Sequence, residues 1–107
     1  MCGFVGFVDY KNDTKKQKDI LIKMNSCISK RGPDEEGYYI NNNIALGHKR
    51  LIVIDPKGGK QPMTENYSFG EYTLVYNGQI YNTNELRKVL EENNFTFNRP
   101  LWYWSIT

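Results

Sequence analysis

The sequence predicts an α+β chain folded as one mixed domain. Strand-like and helix-like segments alternate irregularly, and at least one strand pair is joined by only a short turn. No internal repeat or low-complexity linker divides the chain. Residues 3–9 (GFVGFVD) read as a buried strand whose glycines permit close backbone approach. Residues 14–30 place Ile20, Met24, Cys27 and Ile28 at helical spacing, with lysines on the other face. RGPDEEG, residues 31–37, leaves the helix at its Gly-Pro. Residues 38–40 (YYI) and 44–55 (IALGHKRLIVID) follow as strands, separated by an Asn-rich turn at 41–43. The Pro and Gly content of residues 56–62 predicts a loop, and residues 72–76 a further strand running into NGQIYN. A last helix starts near Asn82, with Glu85 as a capping-box partner and Leu86, Val89 and Leu90 as its apolar stripe.

Composition excludes several function classes. A formal net charge of +2 is too small to argue for nucleic acid or an anionic membrane as partner. No apolar run approaches the ~18 residues of a spanning helix. Asp9 interrupts the first apolar stretch, which also lacks a basic leader, so no secretory signal is expected. Cys2 and Cys27 have neither disulfide-framework nor zinc-site spacing, so the expected setting is reducing and cytoplasmic.

The candidate chemistry begins at the thiol of Cys2. If Met1 is clipped, Cys2 carries a free α-amine whose ordinary pKa of roughly 7.7–8.0 suits it to take the thiol proton. One residue would then supply both nucleophile and base, although a small hydrophobe at a strand start explains Cys2 equally well. Asn77-Gly78 offers a side-chain amide and an unhindered N–H to a developing oxyanion, or else a type I′ hairpin turn. Arg50 can clamp a carboxylate with its planar fork, or be a solvated strand residue. His48 is the sole histidine and reads as structural, as Cys27 reads as core.

Together MCGFVGFVD, RGPDEEG, GHKRLIVID, GGKQPM and NGQIYN, in this order, resemble the glutaminase domain of the asparagine synthetases. These are class II glutamine amidotransferases within the N-terminal-nucleophile hydrolases. The resemblance implies a four-layer αββα sandwich of which only the first part is present. It covers residues 1–98 as a partial glutaminase domain and leaves 99–107 as a non-matching tail. It implies Cys2 as nucleophile, Asn77 and the Gly78 N–H as oxyanion hole, and Arg50 on the carboxylate of L-glutamine. Leu51, Ile52, Val53 and Ile54 would line the same pocket through their backbone, and the loop at 31–34 would pack around the nucleophile. The implied reaction is hydrolysis of glutamine to glutamate and ammonia through a thioester. No cofactor is expected in this domain; ATP and magnesium would belong to a missing synthetase domain that consumes the ammonia.

Two departures from the family pattern bear on activity. Gln79 stands where the family has a glutamate for the substrate α-ammonium, which predicts weaker glutamine binding with the chemistry retained. Where the family continues Ser-Asp-Thr-Glu, this chain reads RPLWYWSIT. With TGA read as tryptophan, codons chosen for that tail give Gly-His-Ser-Asp-Thr-Glu-Val-Leu after a one-base shift, so a frameshift is one reading of it. A partial sandwich would expose apolar sheet surface and favour self-association. The alternative function is a degenerate, non-catalytic fragment acting only through protein contacts.

Overall fold

A computed structural model describes residues 2–52 and 57–97. Its core is a three-stranded antiparallel sheet in the order β1-β3-β2, formed by β1 (Gly3–Val8), β2 (Glu35–Ile40) and β3 (Ile44–Arg50). The helix α1 (Lys18–Cys27) packs on one face of this sheet. A separate hairpin pairs β4 (Met63–Tyr67) with β5 (Gly70–Leu74), and α2 (Thr83–Glu92) follows. The α+β expectation holds.

The sheet exists because β3 is apolar enough to be buried and has partners on both sides. β1 pairs it from Gly3↔Lys49 to Val8↔Ile44, and β2 from Glu35↔Arg50 to Ile40↔Ala45. Strand alternation then sorts the side chains. Gly3 and Gly47 face α1 and the turn after it, Gly47 against Asn25 and Gly3 against Ile28. Cys2, Phe4, His48, Arg50 and Glu35 fall on the opposite face by the same parity.

Several element boundaries differ from the sequence reading. The helix expected over 14–30 is three pieces, with short 3-10 turns at Thr14–Gln17 and Ser29–Arg31 flanking α1. Asp13 caps the first of them by accepting the Lys15 N–H at 3.0 Å. The buried stripe of α1 is Leu21 and Asn25, with Ile20 half-exposed and Cys27 exposed. The reading of Cys27 as core is therefore wrong. A polar residue, Asn25, holds the core position by donating to the His48 carbonyl at 3.4 Å, and hydropathy is blind to it.

β2 begins at Glu35, inside a segment expected to be loop. Its two glutamates are strand residues because Glu35 pairs with Arg50 at 2.8 Å and Glu36 with Lys49 across the ladder. The Lys49 ammonium holds the Glu36 carboxyl below its ordinary pKa, first by hydrogen bonding and then by charge. β3 ends at Arg50, five residues short of the expected end at 55; residues 53–56 lie outside the described residues. β4 was not expected, since its two-residue turn, Ser68-Phe69, lacks the usual Asn-Gly signal. β5 stops at Leu74, so Asn77-Gly78 lies in the connection to α2 and forms no hairpin between described strands.

α2 carries its predicted stripe, yet Leu86, Val89 and Leu90 remain 44%, 55% and 38% exposed. Asn82 precedes it without a side-chain capping bond, and the Thr83 hydroxyl donates instead to the Ile80 carbonyl at 2.7 Å. The expected capping box is not formed. Arg87 lies over the Phe97 ring at 4.6 Å, beside an apolar cavity of about 180 Å³ lined by Ile80, Leu86 and Leu90. The Thr83 hydroxyl also lines it, tied to the Ile80 carbonyl.

Candidate active site

Cys2 is 4% exposed, at the edge of β1. Its sulfur donates to the Leu51 carbonyl at 3.6 Å and accepts the Leu51 N–H at 3.4 Å. Continuing the β1–β3 register by one residue sets Cys2 opposite Arg50, which is itself paired with Glu35. Cys2, Arg50 and Glu35 therefore form a row across one face, with Cα spacings of about 4.5–5.5 Å per strand step.

The RGPD loop fastens this row from the side. Arg31 Nε donates to the Cys2 carbonyl at 3.1 Å. The Asp34 N–H donates to the Arg50 carbonyl at 3.0 Å, and the Asp34 carboxylate accepts the Ile52 N–H at 2.7 Å. Such an approach needs Gly32, where an added Cβ would lie 2.3 Å from the Lys49 carbonyl carbon. The loop thus ties Cys2 and the end of β3 together at three backbone points, and residues 31–34 pack beside Cys2 as expected.

Arg50 is 5% exposed, so the reading of it as a solvated strand residue fails. Its guanidinium bonds Glu35 and lies against Gly59. A cavity of about 210 Å³ opens beside it, lined by Glu35, Gly37, His48, Lys60 and Gln61. Most of its lining residues carry polar or charged groups, although their apolar atoms form the larger part of the wall.

His48 is fully buried on this face, and neither ring nitrogen has a hydrogen-bond partner among the described residues. Burial lowers its pKa below the ordinary 6.5; the facing Tyr76 carbonyl opposes the shift, and the Arg50 charge adds to it. Cys2 finds its partners in Leu51, and no hydrogen bond joins Cys2 to His48 among the described residues.

Tyr76 lies against the same face. The Tyr76 carbonyl faces His48, and the Tyr76 N–H donates to Gln61 Oε1 at 2.6 Å. Asn77 and Gly78 follow directly, half-buried, with the Asn77 side-chain oxygen buried and unpartnered among the described residues. Gln79 is exposed. Leu51 and Ile52 are half-buried beside Cys2, while Val53 and Ile54 lie outside the described residues. No group of three or more metal-ligating side chains occurs among the described residues.

The sequence reading missed Glu35 and Gln61. Glu35 lay within a quoted motif, but only the antiparallel register puts it on Arg50. Gln61 lay in the GGKQPM motif, and its 5% exposure is the signal that a polar side chain has an internal task.

A family model described as a glutamine amidotransferase domain matches residues 1–100. Among curated proteins, the chain is 42% identical over 92% of its length to asparagine synthetase [glutamine-hydrolyzing] 3 of Bacillus subtilis (strain 168). It is 40% identical, again over 92%, to asparagine synthetase [glutamine-hydrolyzing] 1 of the same organism. It is 33% identical over 81% of its length to asparagine synthetase B [glutamine-hydrolyzing] of Escherichia coli (strain K12). The chain spans only 16%, 16% and 15% of those relatives.

Proposed function

This chain belongs to the glutamine amidotransferase domain family, and we propose that it carries the family's glutaminase chemistry, with Cys2 as the nucleophile. The observation that carries the reading is the row of Cys2, Arg50 and Glu35 on one sheet face, held by Arg31 and Leu51, with a cavity opening at Arg50 and Glu35.

In this reading Met1 is removed and the Cys2 α-amine takes the thiol proton. The thiolate attacks the side-chain amide carbon of L-glutamine, whose α-carboxylate is held by Arg50. Negative charge developing on the amide oxygen is met by the Asn77 side-chain N–H₂ and the Gly78 N–H. The tetrahedral adduct collapses as the ammonium returns its proton to the departing nitrogen, releasing ammonia and leaving a thioester at Sγ. Water then attacks the thioester carbonyl, the amine again acting as base, and glutamate leaves with the thiol restored. Gln79 offers the substrate ammonium a hydrogen bond without a charge, so binding is weak for this family.

The relatives named above suggest an acceptor for the ammonia. In a longer protein it would feed an ATP- and magnesium-dependent asparagine synthesis outside this domain. A reducing, cytoplasmic setting suits a thiol nucleophile, and no described helix is long and apolar enough to cross a membrane.

The half-exposed Phe4 and Val8 and the uncovered stripe of α2 favour a second reading, a non-catalytic fragment acting through protein contacts. Thiol labelling separates the two. A glutamine-analogue electrophile should label Cys2 in preference to Cys27, and Cys2→Ala should abolish that selective label. Cys27 is exposed, so a simple alkylating reagent should choose it first. If the analogue shows the same preference as the simple reagent, the glutaminase reading is wrong and the fragment reading stands. An intact mass that retains Met1 would remove the proposed base.

A further inference from the structure

We propose that Gln61 is a positioning residue for the oxyanion donors, acting through the backbone of Tyr76; this rests on the glutaminase reading of Asn77 and Gly78. Gln61 is 5% exposed, in a loop that would ordinarily keep a primary amide in water. Its Oε1 accepts the Tyr76 N–H at 2.6 Å, one residue before Asn77. β5 has ended at Leu74, so no strand ladder holds Tyr76, and the Gln61 carbonyl group stands in for the missing strand partner.

Gln61 is itself seated on the rigid sheet. A Cβ on Gly37 would lie 2.0 Å from the Gln61 backbone oxygen, so the two backbones are in direct contact. Gly37 pairs with His48 in β3, two pairs along from Glu35↔Arg50 and on the same face. The order of support is then sheet, Gly37, Gln61, Tyr76, and finally Asn77 with Gly78. It references the oxyanion donors to the strand that carries Arg50. A shift of about 1 Å in such a donor is enough to cost about 100-fold in rate.

Two variants of the full chain test this, Gln61→Glu and Gln61→Met. Both match the native side chain in length, but only the glutamate keeps an oxygen to accept the Tyr76 N–H. Hydrogen exchange at the Tyr76 amide should be slow in the native chain and in Gln61→Glu, and at least 10-fold faster in Gln61→Met. Glutaminase kcat should fall at least 10-fold in Gln61→Met with KM changed less than 3-fold, and Gln61→Glu should recover most of the loss. A merely structural role would move KM and kcat together or leave both unchanged, and either result would overturn the proposal. Equal Tyr76 protection in native and Gln61→Met chains would overturn it as well. A native chain without turnover would sink the glutaminase reading, and with it the catalytic half of this proposal. The exchange data would still decide whether Gln61 holds Tyr76.

Discussion

At the scale of single residues, the site depends on groups whose partners come from distant parts of the chain. Arg50 is buried and needs Glu35, 15 positions earlier, to hold its guanidinium at 2.8 Å. Glu35→Gln removes the charge but keeps an oxygen, so glutamine KM should rise about 10-fold while kcat changes little. Steady-state kinetics with glutamine checks this, and an effect confined to kcat would show that Arg50 is not the carboxylate clamp. His48 makes a separate prediction about pH. Its folded pKa is depressed, so below about 6.5 the unfolded chain binds a proton that the folded chain refuses. Stability should therefore fall as pH drops through that value, by at most about 1.4 kcal/mol per pH unit from this one group. The Arg50 charge adds to the effect of burial, while the Tyr76 backbone opposes it; Glu35 and Lys60 line the cavity that His48 faces. Denaturant midpoints at pH 7.5, 6.5 and 5.5 should show the slope in the native chain and lose it in His48→Gln. Asp9 acts in a lower window. Its pKa is lowered to about 2 by bonds first from Gln17, then Asn12 and Lys11, so its contribution is present above about 4 and lost as pH falls toward 2.

At the scale of elements, loops are pressed onto strand backbones at positions where only glycine fits. Gly32 lets the RGPD loop meet the end of β3, and Gly37 lets the 57–62 loop meet β2. Atoms of rigid backbone lie where a methyl group would go, so neither contact can yield by rotating a side chain. Gly32→Ala should destabilise by about 2 kcal/mol or more and free the Cys2 end of β1. Thermal unfolding together with the loss of analogue labelling at Cys2 would report it; unchanged melting would mean that the loop does not pack as described. The legibility of the elements follows the same physics. Strand β3 was visible because it opens on the apolar run Ile44, Ala45 and Leu46 after an Asn-rich turn. The early start of β2 was not, because Glu35 and Glu36 are strand residues only by virtue of Arg50 and Lys49 opposite. The stripe of α1 was misplaced by about one residue, since Asn25 is buried by a hydrogen bond to a strand and not by hydrophobicity.

At the scale of the molecule, apolar surface exceeds what the described elements cover. Phe4 and Val8 stand 50% and 54% exposed on the sheet face opposite α1. The hairpin adds Tyr67 and Phe69, stacked at 5.2 Å, with Tyr72 edge-on to both at 5.8 Å, all three exposed to solvent. Between sheet and hairpin, the Tyr39 hydroxyl donates to Glu71 at 2.6 Å. The chain alone should therefore self-associate as its concentration rises. Sedimentation velocity should show a rising weight-average mass, reduced by Val8→Lys; a concentration-independent monomer would mean that these faces do not associate.

The sequence by itself determined the chemistry on offer: a thiol at position 2, an arginine after GHK, an Asn-Gly pair, and glycines at the two places where backbones must touch. It also determined the α+β class, because hydrophobic periodicity and turn residues are local properties. Only the tertiary structure decided which groups meet. The antiparallel register set Cys2 level with Arg50 and Glu35, and the loop over β2 brought Gln61 to the Tyr76 amide. Those contacts join residues 15 to 49 positions apart. A polar side chain acquires a role in such a site only when the folded chain takes away its water and supplies a partner, which no local pattern records.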